Sequence, residues 1–175
     1  MKKHSKVKSV IVIVMGLPGS GKSYFAKRLA KEIDALYLGS DEIRKEIGLM
    51  GSYHLDNKLS VYEEMFKRAK RINKSGRSLV LDGTFYLQQV RGPFIFLAKS
   101  LSWKLSIIHI KADEALISKR LSKPREDSEA DLKVYQKIKS EFEPIREPYH
   151  LIQSKDGSLQ ENVEKALKYI HSDHE

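Results

Sequence analysis

Apolar residues along the chain fall into two patterns, short continuous runs and stretches with helical spacing. Residues 10–15 form a continuous apolar run rich in β-branched side chains, which predicts a buried strand. Apolar side chains between residues 25 and 33 follow the spacing of an amphipathic helix. The two patterns then alternate to the end of the chain. Further strands are predicted at residues 35–39, 78–82, 103–110 and 149–153, and further helices at 41–47, 59–72, 93–101, 115–121, 132–142 and 158–170.

This alternation of strands and helices predicts an α/β fold. Right-handed helical crossovers between parallel strands give a five-stranded parallel sheet with helices on both faces. The 175 residues fit a single domain over residues 1–175. A polar segment broken by Pro124 lies between two predicted helices, so we expect a helical lid at about residues 120–142. Ligands in such folds bind beyond the carboxyl ends of the strands.

Local signals predict where several helices begin. Ser40 and Asp113 are expected to cap the helices that follow them, since short polar side chains accept hydrogen bonds from the first free backbone N–H groups. Ser158 and Glu161 have the spacing of a capping box. Pro93 is suited to the first position of a helix, where its missing N–H group costs nothing.

A glycine-rich segment, GLPGSGKS at residues 16–23, connects the first predicted strand to the first predicted helix. Its pattern is that of a phosphate-binding loop (P-loop), in which successive backbone N–H groups surround the phosphates of a nucleotide. Lys22 is expected to reach the β and γ phosphates of ATP, and the Ser23 hydroxyl to coordinate Mg²⁺. The predicted nucleotide-binding residues are Gly16, Leu17, Pro18, Gly19, Ser20, Gly21, Lys22, Ser23 and Tyr24. The motif and its flanks predict a P-loop NTPase fold.

Two acidic residues follow predicted strands at the same edge of the sheet. Asp41 faces the P-loop on this interpretation and is suited to accept or orient the proton of an attacking hydroxyl, although it also suits a purely helix-stabilising role. Arg44 shares its helix face, and a guanidinium fits the phosphate or carboxylate of an acceptor. Asp82 ends a buried strand, where it is expected to hold a water of the Mg²⁺ shell, contact Ser23 or bind the acceptor. A simple turn-forming Asp-Gly pair is the alternative.

Three arginines and one histidine are further candidates. Arg120 and Arg125 flank the predicted lid, and one of them is expected to neutralise charge on the transferred phosphoryl group. Arg91 is a weaker candidate for binding the acceptor. His109 lies in an isoleucine-rich strand, so we expect a core residue rather than a catalyst.

The composition narrows the partners without naming one. The 32 lysines and arginines exceed the 23 acidic residues, for a formal net charge of +9, which is compatible with an anionic partner. A solvated basic face is the alternative for the basic cluster at residues 67–77. No cysteine is present, which excludes disulfides and thiolate metal sites. No apolar run is long enough to span a membrane, so we expect a cytoplasmic protein.

Together, the P-loop, Ser40-Asp41-Glu42-Ile43-Arg44, the segment at 80–85 and the lid-like segment at 120–142 resemble a known family. They are similar to the small P-loop kinases that include the kinase domain of polynucleotide kinase, zeta toxin and gluconate kinase, and the Asp-x-x-Arg pattern is closest to polynucleotide kinases. The resemblance implies that Asp41 is the general base, that Arg44 holds the acceptor's phosphate, and that Arg120 or Arg125 is the lid arginine.

We therefore expect an ATP- and Mg²⁺-dependent kinase with a hydroxyl acceptor. Arg44 and the basic balance favour the 5′-hydroxyl of a polynucleotide or nucleotide-like molecule. A kinase for a small metabolite, such as a sugar, sugar acid or antibiotic, is the first alternative. A nucleotide-binding regulatory or toxin-like protein with little turnover is the second.

Overall fold

A computed structural model describes residues 9–123 and 130–172, and these residues form one five-stranded parallel sheet with helices on both faces. The strand order is β2-β3-β1-β4-β5. The strands are β1 (Val10–Met15), β2 (Leu36–Gly39), β3 (Leu79–Gly83), β4 (Lys104–Lys111) and β5 (His150–Gln153). The helices are α1 (Lys22–Glu32), α2 (Ser40–Glu46), α3 (Leu55–Asn73), α4 (Gln88–Ser100), α5 (Glu114–Leu121), α6 (Leu132–Glu141) and α7 (Leu159–His171). The predicted α/β architecture is confirmed.

The central strand β1 is apolar on both of its faces because helices cover both sides of the sheet. All six of its residues are buried. Ile11, Ile13 and Met15 belong to one apolar cluster, with side chains of α3 and α4. The alternate residues, from Val10 to Val14, belong to a second cluster with side chains of α1 and α7. Alternation along a strand therefore divides one apolar run between two cores.

Several helix starts differ from those predicted. Ser40 is the first helical residue of α2, and Gly39 precedes it as the cap. Asp113 and Ser158 occupy cap positions without making side-chain cap hydrogen bonds. The Asp113 carboxylate instead accepts a hydrogen bond from Gln153, and the Ser158 hydroxyl bonds the backbone of Lys155. A tertiary partner on β5 therefore replaces the cap bond of Asp113, whereas Ser158 is engaged in a local turn.

Two helices begin a turn or more earlier than the sequence pattern indicates. Pro93 lies inside α4, which begins at Gln88, so the prediction that Pro93 starts a helix is wrong. The first turn of α4 is instead held by backbone bonds to Leu87 and by the buried side chain of Arg91. Helix α3 begins at Leu55, about one turn before the predicted start at residue 59.

The strand register aligns the polar residues at one end of the sheet. Val14 pairs with Asp82, and Gly39 pairs with Asp82 from the other side. The segments that follow β1 and β2 therefore leave the sheet beside the carboxylate that ends β3. The lid stays a prediction, because residues 124–129 lie outside the described ranges. Within those ranges, no helix has both the length and the apolarity needed to cross a membrane.

Candidate active site

The P-loop forms the tight turn between β1 and α1 that its sequence predicts. Gly19 and Gly21 have φ angles of 80° and 89°, in the left-handed region that favours glycine. A Cβ atom on Gly16 would lie 2.4 Å from the carbonyl oxygen of Ile110, so a side chain there would require the backbone to move. Lys22, the first residue of α1, is buried beside this turn. The loop therefore presents its backbone and one ammonium group at a helix amino end.

Asp82 lies buried at the end of β3, next to the P-loop. Its Oδ2 atom accepts a 2.7 Å hydrogen bond from the Tyr37 hydroxyl. Its Oδ1 atom is buried and has no hydrogen-bond partner among the described residues. Burial raises the pKa of this carboxyl, while Lys22, Tyr37 and the Ser23 hydroxyl lower it. Asp82 is thus a buried carboxyl group close to Lys22 and Ser23, with one oxygen that has no hydrogen-bond partner among the described residues, and it does not line the adjacent cavity.

Asp41 and Arg44 form an ion pair on α2. The Arg44 Nη1 atom lies 3.4 Å from Asp41 Oδ1, and the Arg44 side chain is nearly buried whereas that of Asp41 is about one quarter exposed. The guanidinium carbon lies 4.9 Å from the centre of the Tyr53 ring. The Nε atom of Arg44 is buried without a hydrogen-bond partner among the described residues. Both predicted residues therefore lie together, as their spacing on a helix implies.

A cavity of about 740 Å³ joins these features. We call the part formed by the P-loop, Arg120 and residues 154–159 the P-loop side, and the part formed by Asp41, Arg44, Tyr53, Lys58, Tyr62 and Thr84 the α2–α3 side. Of the predicted site residues, the cavity is lined by Pro18, Gly19, Gly21, Lys22, Ser23, Tyr24, Asp41, Arg44 and Arg120. Leu17 and Ser20 instead line a second cavity of about 350 Å³ behind the loop, which His109 also lines.

Arg120 contacts the P-loop directly. Its Nη1 atom donates a 3.2 Å hydrogen bond to the carbonyl oxygen of Gly19, and its Nη2 atom lies 3.2 Å from Asp156 Oδ1. A Cβ atom on Gly21 would lie 3.1 Å from the same guanidinium. This places one of the two predicted lid arginines where it can touch a ligand of the loop. Arg125, the other, lies outside the described residues.

The expectation for Arg91 is corrected by the structure. Its side chain is completely buried in α4 and does not line the cavity. Nη1 donates to the carbonyl oxygen of Phe85 at 2.7 Å, and Nη2 donates to that of Pro144, also at 2.7 Å. A further bond joins Nη2 to Gln88. Arg91 connects the segment after β3 to the segment after α6, so its guanidinium binds the protein's own backbone rather than an acceptor.

Two side chains at the site were missed by the sequence analysis. Tyr37 holds Asp82 from the neighbouring strand, and nothing in a four-residue strand marks that partner. Lys58 lies buried on the α2–α3 side, where its Nζ atom donates a 3.0 Å hydrogen bond to the Tyr86 hydroxyl. The position of Lys58 could have been inferred from the sequence. It lies one helical turn before Tyr62, so it falls on the same buried face of α3.

The basic cluster on α3 is largely neutralised by neighbouring acids. Lys67 pairs with Glu63 at 2.9 Å, and Arg68 pairs with Glu64 at 2.9 Å. Arg71 also reaches Glu64, and Arg77 pairs with Asp34. These exposed pairs fit the solvated basic face that composition alone left open.

His109 is a buried residue of β4, as predicted. Its ring is stacked on that of Phe142, with centroids 5.3 Å apart and an interplanar angle of 9°. Burial, with the nearby charges of Lys111 and Arg91, lowers its pKa to about 4. The imidazole is therefore neutral at physiological pH.

The chain is similar to several known proteins. An uncharacterized protein of Mycobacterium tuberculosis is 31% identical over 93 residues, and this match covers 46% of the chain but only 19% of the relative's length. Among solved structures, the unliganded sugar kinase from Janibacter sp. HTCC2649 superposes with a TM-score of 0.70 at 18% identity, covering 93% of this chain and 94% of that one. For the gluconokinase from Sinorhizobium meliloti 1021 the TM-score is 0.66 at 18% identity, with 93% and 91% covered.

The APS kinase CysC of Mycobacterium tuberculosis, solved with AMPPNP and APS, has a TM-score of 0.70 at 14% identity, with 94% of this chain and 98% of that one covered. At these low identities the likenesses show the fold, and they confirm the predicted P-loop NTPase fold. The model of an AAA domain family matches residues 11–145, which include the P-loop, Asp41, Asp82 and Arg120. Since this match spans more than half of the chain, the protein belongs to that AAA domain family.

Proposed function

We propose that this chain is an ATP-dependent kinase that transfers the γ-phosphoryl group to a hydroxyl of an acceptor molecule. The observation that carries the proposal is the single cavity in which the P-loop and Lys22 face the Asp41–Arg44 pair. A phosphate-binding loop alone serves many activities. A carboxylate that lines the same cavity is suited to orient the attacking hydroxyl and accept its proton in phosphoryl transfer to an alcohol.

In the proposed reaction, the acceptor oxygen forms a bond to the γ-phosphorus as the bond from that phosphorus to the β-phosphate oxygen breaks. Asp41 orients the hydroxyl and accepts its proton, and ADP leaves with the electron pair of the broken bond. Lys22 and the N–H groups of the P-loop stabilise the charge of the β and γ phosphates. Arg120, which donates a hydrogen bond to the carbonyl oxygen of Gly19, is the arginine that we propose contacts the same phosphates. Arg125 stays the alternative for this role.

The residues beside the P-loop fit a magnesium ion. Asp82 Oδ1 is a buried carboxylate oxygen without a partner among the described residues, and Ser23 lies next to this carboxyl. Oxygen ligands of this kind are those that Mg²⁺ prefers. Ser23 would hold the ion directly and Asp82 would hold one of its waters. When bound, Mg²⁺ would offset part of the negative charge of the nucleotide phosphates.

The acceptor is proposed to be a small metabolite. The structural neighbours include proteins named as a sugar kinase, a gluconokinase and an APS kinase, which supports this class. The ion pairing on α3 weakens the argument that its basic face binds nucleic acid. A polynucleotide 5′-hydroxyl is the second candidate, because it is favoured by the Asp-x-x-Arg spacing of Asp41 and Arg44.

A screen of phosphoryl acceptors tests the proposal. The protein is incubated with Mg²⁺, γ-labelled ATP and, separately, a panel of sugars and sugar acids, a panel of nucleosides, and 5′-hydroxyl oligonucleotides. We expect label in a small acceptor. Label in oligonucleotides alone would select the second candidate, and release of labelled phosphate without any labelled acceptor would contradict kinase activity.

A further inference from the structure

Lys58 is a buried cation on the α2–α3 side that the proposed reaction does not use. The residue is only 4% exposed, yet it lines the cavity. Its hydrogen-bond partner is the neutral hydroxyl of Tyr86, and the Tyr86 ring lies 4.8 Å from the Nζ atom. No carboxylate lies within ion-pair distance of Lys58 in the part of the chain that the structure describes. An ammonium in this setting has lost water without gaining a counter-ion.

The surroundings of Lys58 oppose its charge more than they support it. Burial lowers its pKa most, and the charges of Lys137 and Arg44 also lower it. The Glu141 carboxylate, at the end of α6, raises it, and more strongly than either of these two cations lowers it. An unpaired buried charge of this kind costs stability, whereas an apolar side chain of similar size would not. Such a residue is therefore expected to find its missing partner in a ligand.

Arg44 is a second nearly buried cation on this side whose hydrogen-bond donors are not all paired. Its Nε atom is buried without a partner, and its one carboxylate, Asp41, lies at a long 3.4 Å. Lys58 and Arg44 approach closely enough for each to affect the other electrostatically. The α2–α3 side thus has two nearly buried cations and, among its described lining residues, one carboxylate. Asp41 pairs with Arg44, whereas Lys58 has no carboxylate within ion-pair distance among the described residues.

We propose that Lys58 is an acceptor-binding residue that, together with Arg44, selects acceptors carrying an anionic group in addition to the reacting hydroxyl. This inference rests on the proposed kinase function. The class consists of alcohols that bear a phosphate, sulfate or carboxylate, and neutral sugars fall outside it. The Tyr86 hydroxyl takes one donor position of the Lys58 ammonium, and the anion takes donor positions that Tyr86 leaves open.

Equilibrium binding to matched probes tests this without turnover. The protein is first saturated with AMP-PNP and Mg²⁺ to fill the P-loop. Calorimetry then compares adenosine 3′-phosphate with adenosine, gluconate with glucose, and inorganic phosphate alone. We expect the charged member of at least one pair to bind about tenfold tighter than its neutral partner. The pair that shows the preference distinguishes phosphate from carboxylate.

Substitutions of Lys58 test whether the preference for the charged probe depends on this side chain. Lys58→Met is expected to abolish it, and Lys58→Arg is expected to retain most of it. Lys67→Met, which removes an exposed lysine from the same helix, is the matched control and should bind like the wild type. A charged-to-neutral ratio that is the same in Lys58→Met and the wild type would overturn the proposal. So would the lack of any anion preference in the wild type.

This design separates the inference from the proposed function. AMP-PNP is titrated first, so failure to bind nucleotide is seen as a separate result and contradicts the kinase proposal alone. Efficient transfer to neutral acceptors, with charged ones excluded, would support the kinase and overturn the role of Lys58. Because Lys58→Met removes an unpaired buried charge, it is expected to fold, and its AMP-PNP affinity should match that of the wild type.

Discussion

The two sides of the cavity bind charge in different ways. The P-loop side relies on backbone groups and on cations that already have protein partners, such as Arg120 with Gly19 and Asp156. The α2–α3 side relies on long side chains, Arg44 and Lys58, that are nearly buried and incompletely paired. The P-loop side therefore has its charges paired without a ligand, whereas on the α2–α3 side we expect the ligand to balance the remaining positive charge.

This difference separates what is general in the site from what is specific. Backbone N–H groups in a tight turn recognise phosphate, which is the same in every nucleoside triphosphate. Side chains with unmet charge recognise whatever acceptor supplies the missing anion. We therefore expect changes on the P-loop side to affect nucleotide binding and turnover together, and changes on the α2–α3 side to separate them.

The largest expected effect comes from Asp41→Asn. The amide keeps the shape of the side chain but cannot accept the proton of the hydroxyl, so kcat is expected to fall roughly 10²–10⁴-fold. The affinity for AMP-PNP should stay that of the wild type. Initial rates with the acceptor found in the screen, and calorimetry with AMP-PNP, measure the two quantities.

Lys22→Met provides the contrast on the P-loop side. It is expected to weaken both turnover and AMP-PNP binding, because the same ammonium serves the ground state and the transition state. If Asp41→Asn were as active as the wild type in every assay while ATP still bound tightly, the protein would be better described as a nucleotide-binding regulator. Unchanged thermal unfolding of both variants is required before either result is interpreted.

The same contrast explains how much could be predicted from the sequence. The P-loop is read from eight consecutive residues, and the parallel strands bring Asp41 and Asp82 to its edge through the regular geometry of the fold. The α2–α3 side depends on contacts between residues far apart in the chain. Lys58 forms a hydrogen bond with Tyr86, 28 positions away, and the helix predicted from residue 59 begins one residue too late to include it.

Arg91 is the converse case, a residue that the sequence indicated as ligand-binding although its partners lie within the protein. Its position after a strand and before a proline resembles that of a ligand-binding arginine, but the carbonyls it binds lie six positions upstream and some fifty positions downstream. No local pattern records those partners. Charge and spacing identify candidates, and only tertiary packing decides whether a cation serves the fold or a ligand.

Arg91→Met tests that distinction and has the next largest expected effect. The substitution leaves the buried carbonyl oxygen of Phe85 without its donor and removes the part-buried bond to the carbonyl oxygen of Pro144, so we expect the free energy of unfolding to fall by about 3 kcal/mol. Urea denaturation followed by circular dichroism measures the change. Lys58→Met, which removes a buried cation without a carboxylate partner, should cost far less.

An exposed arginine supplies the control for this measurement. Arg77 pairs at 3.3 Å with Asp34, whose side chain is 97% exposed, so Arg77→Met is expected to change the free energy of unfolding by no more than about 0.5 kcal/mol. Equal stability of the Arg91→Met and Arg77→Met variants would show that the backbone contacts of Arg91 are dispensable. The proposed distinction between Arg91, which stabilises the fold, and Arg44 and Lys58, which bind a ligand, would then be wrong.

The smallest expected effect concerns His109, which lies on the strand beside the residue that precedes the P-loop. His109 pairs in the sheet with Met15, the residue before the P-loop, and burial lowers its pKa from the ordinary 6.5 to about 4. Between these values the unfolded chain binds a proton at His109 and the folded chain does not. Unfolding therefore takes up a proton, and stability is lost as the pH falls from about 6.5 toward 4.

A His109→Phe variant isolates this contribution, because it keeps the ring that stacks on Phe142 and removes the titration. The free energy of unfolding, measured in urea between pH 7 and pH 4.5, should fall less steeply with acidification in this variant than in the wild type. His54→Gln, which removes an exposed histidine, should follow the wild-type slope. Parallel slopes for wild type and His109→Phe would mean that the imidazole is hydrated in the folded state. His109, which pairs with the residue before the P-loop, would then be in contact with water in the folded protein.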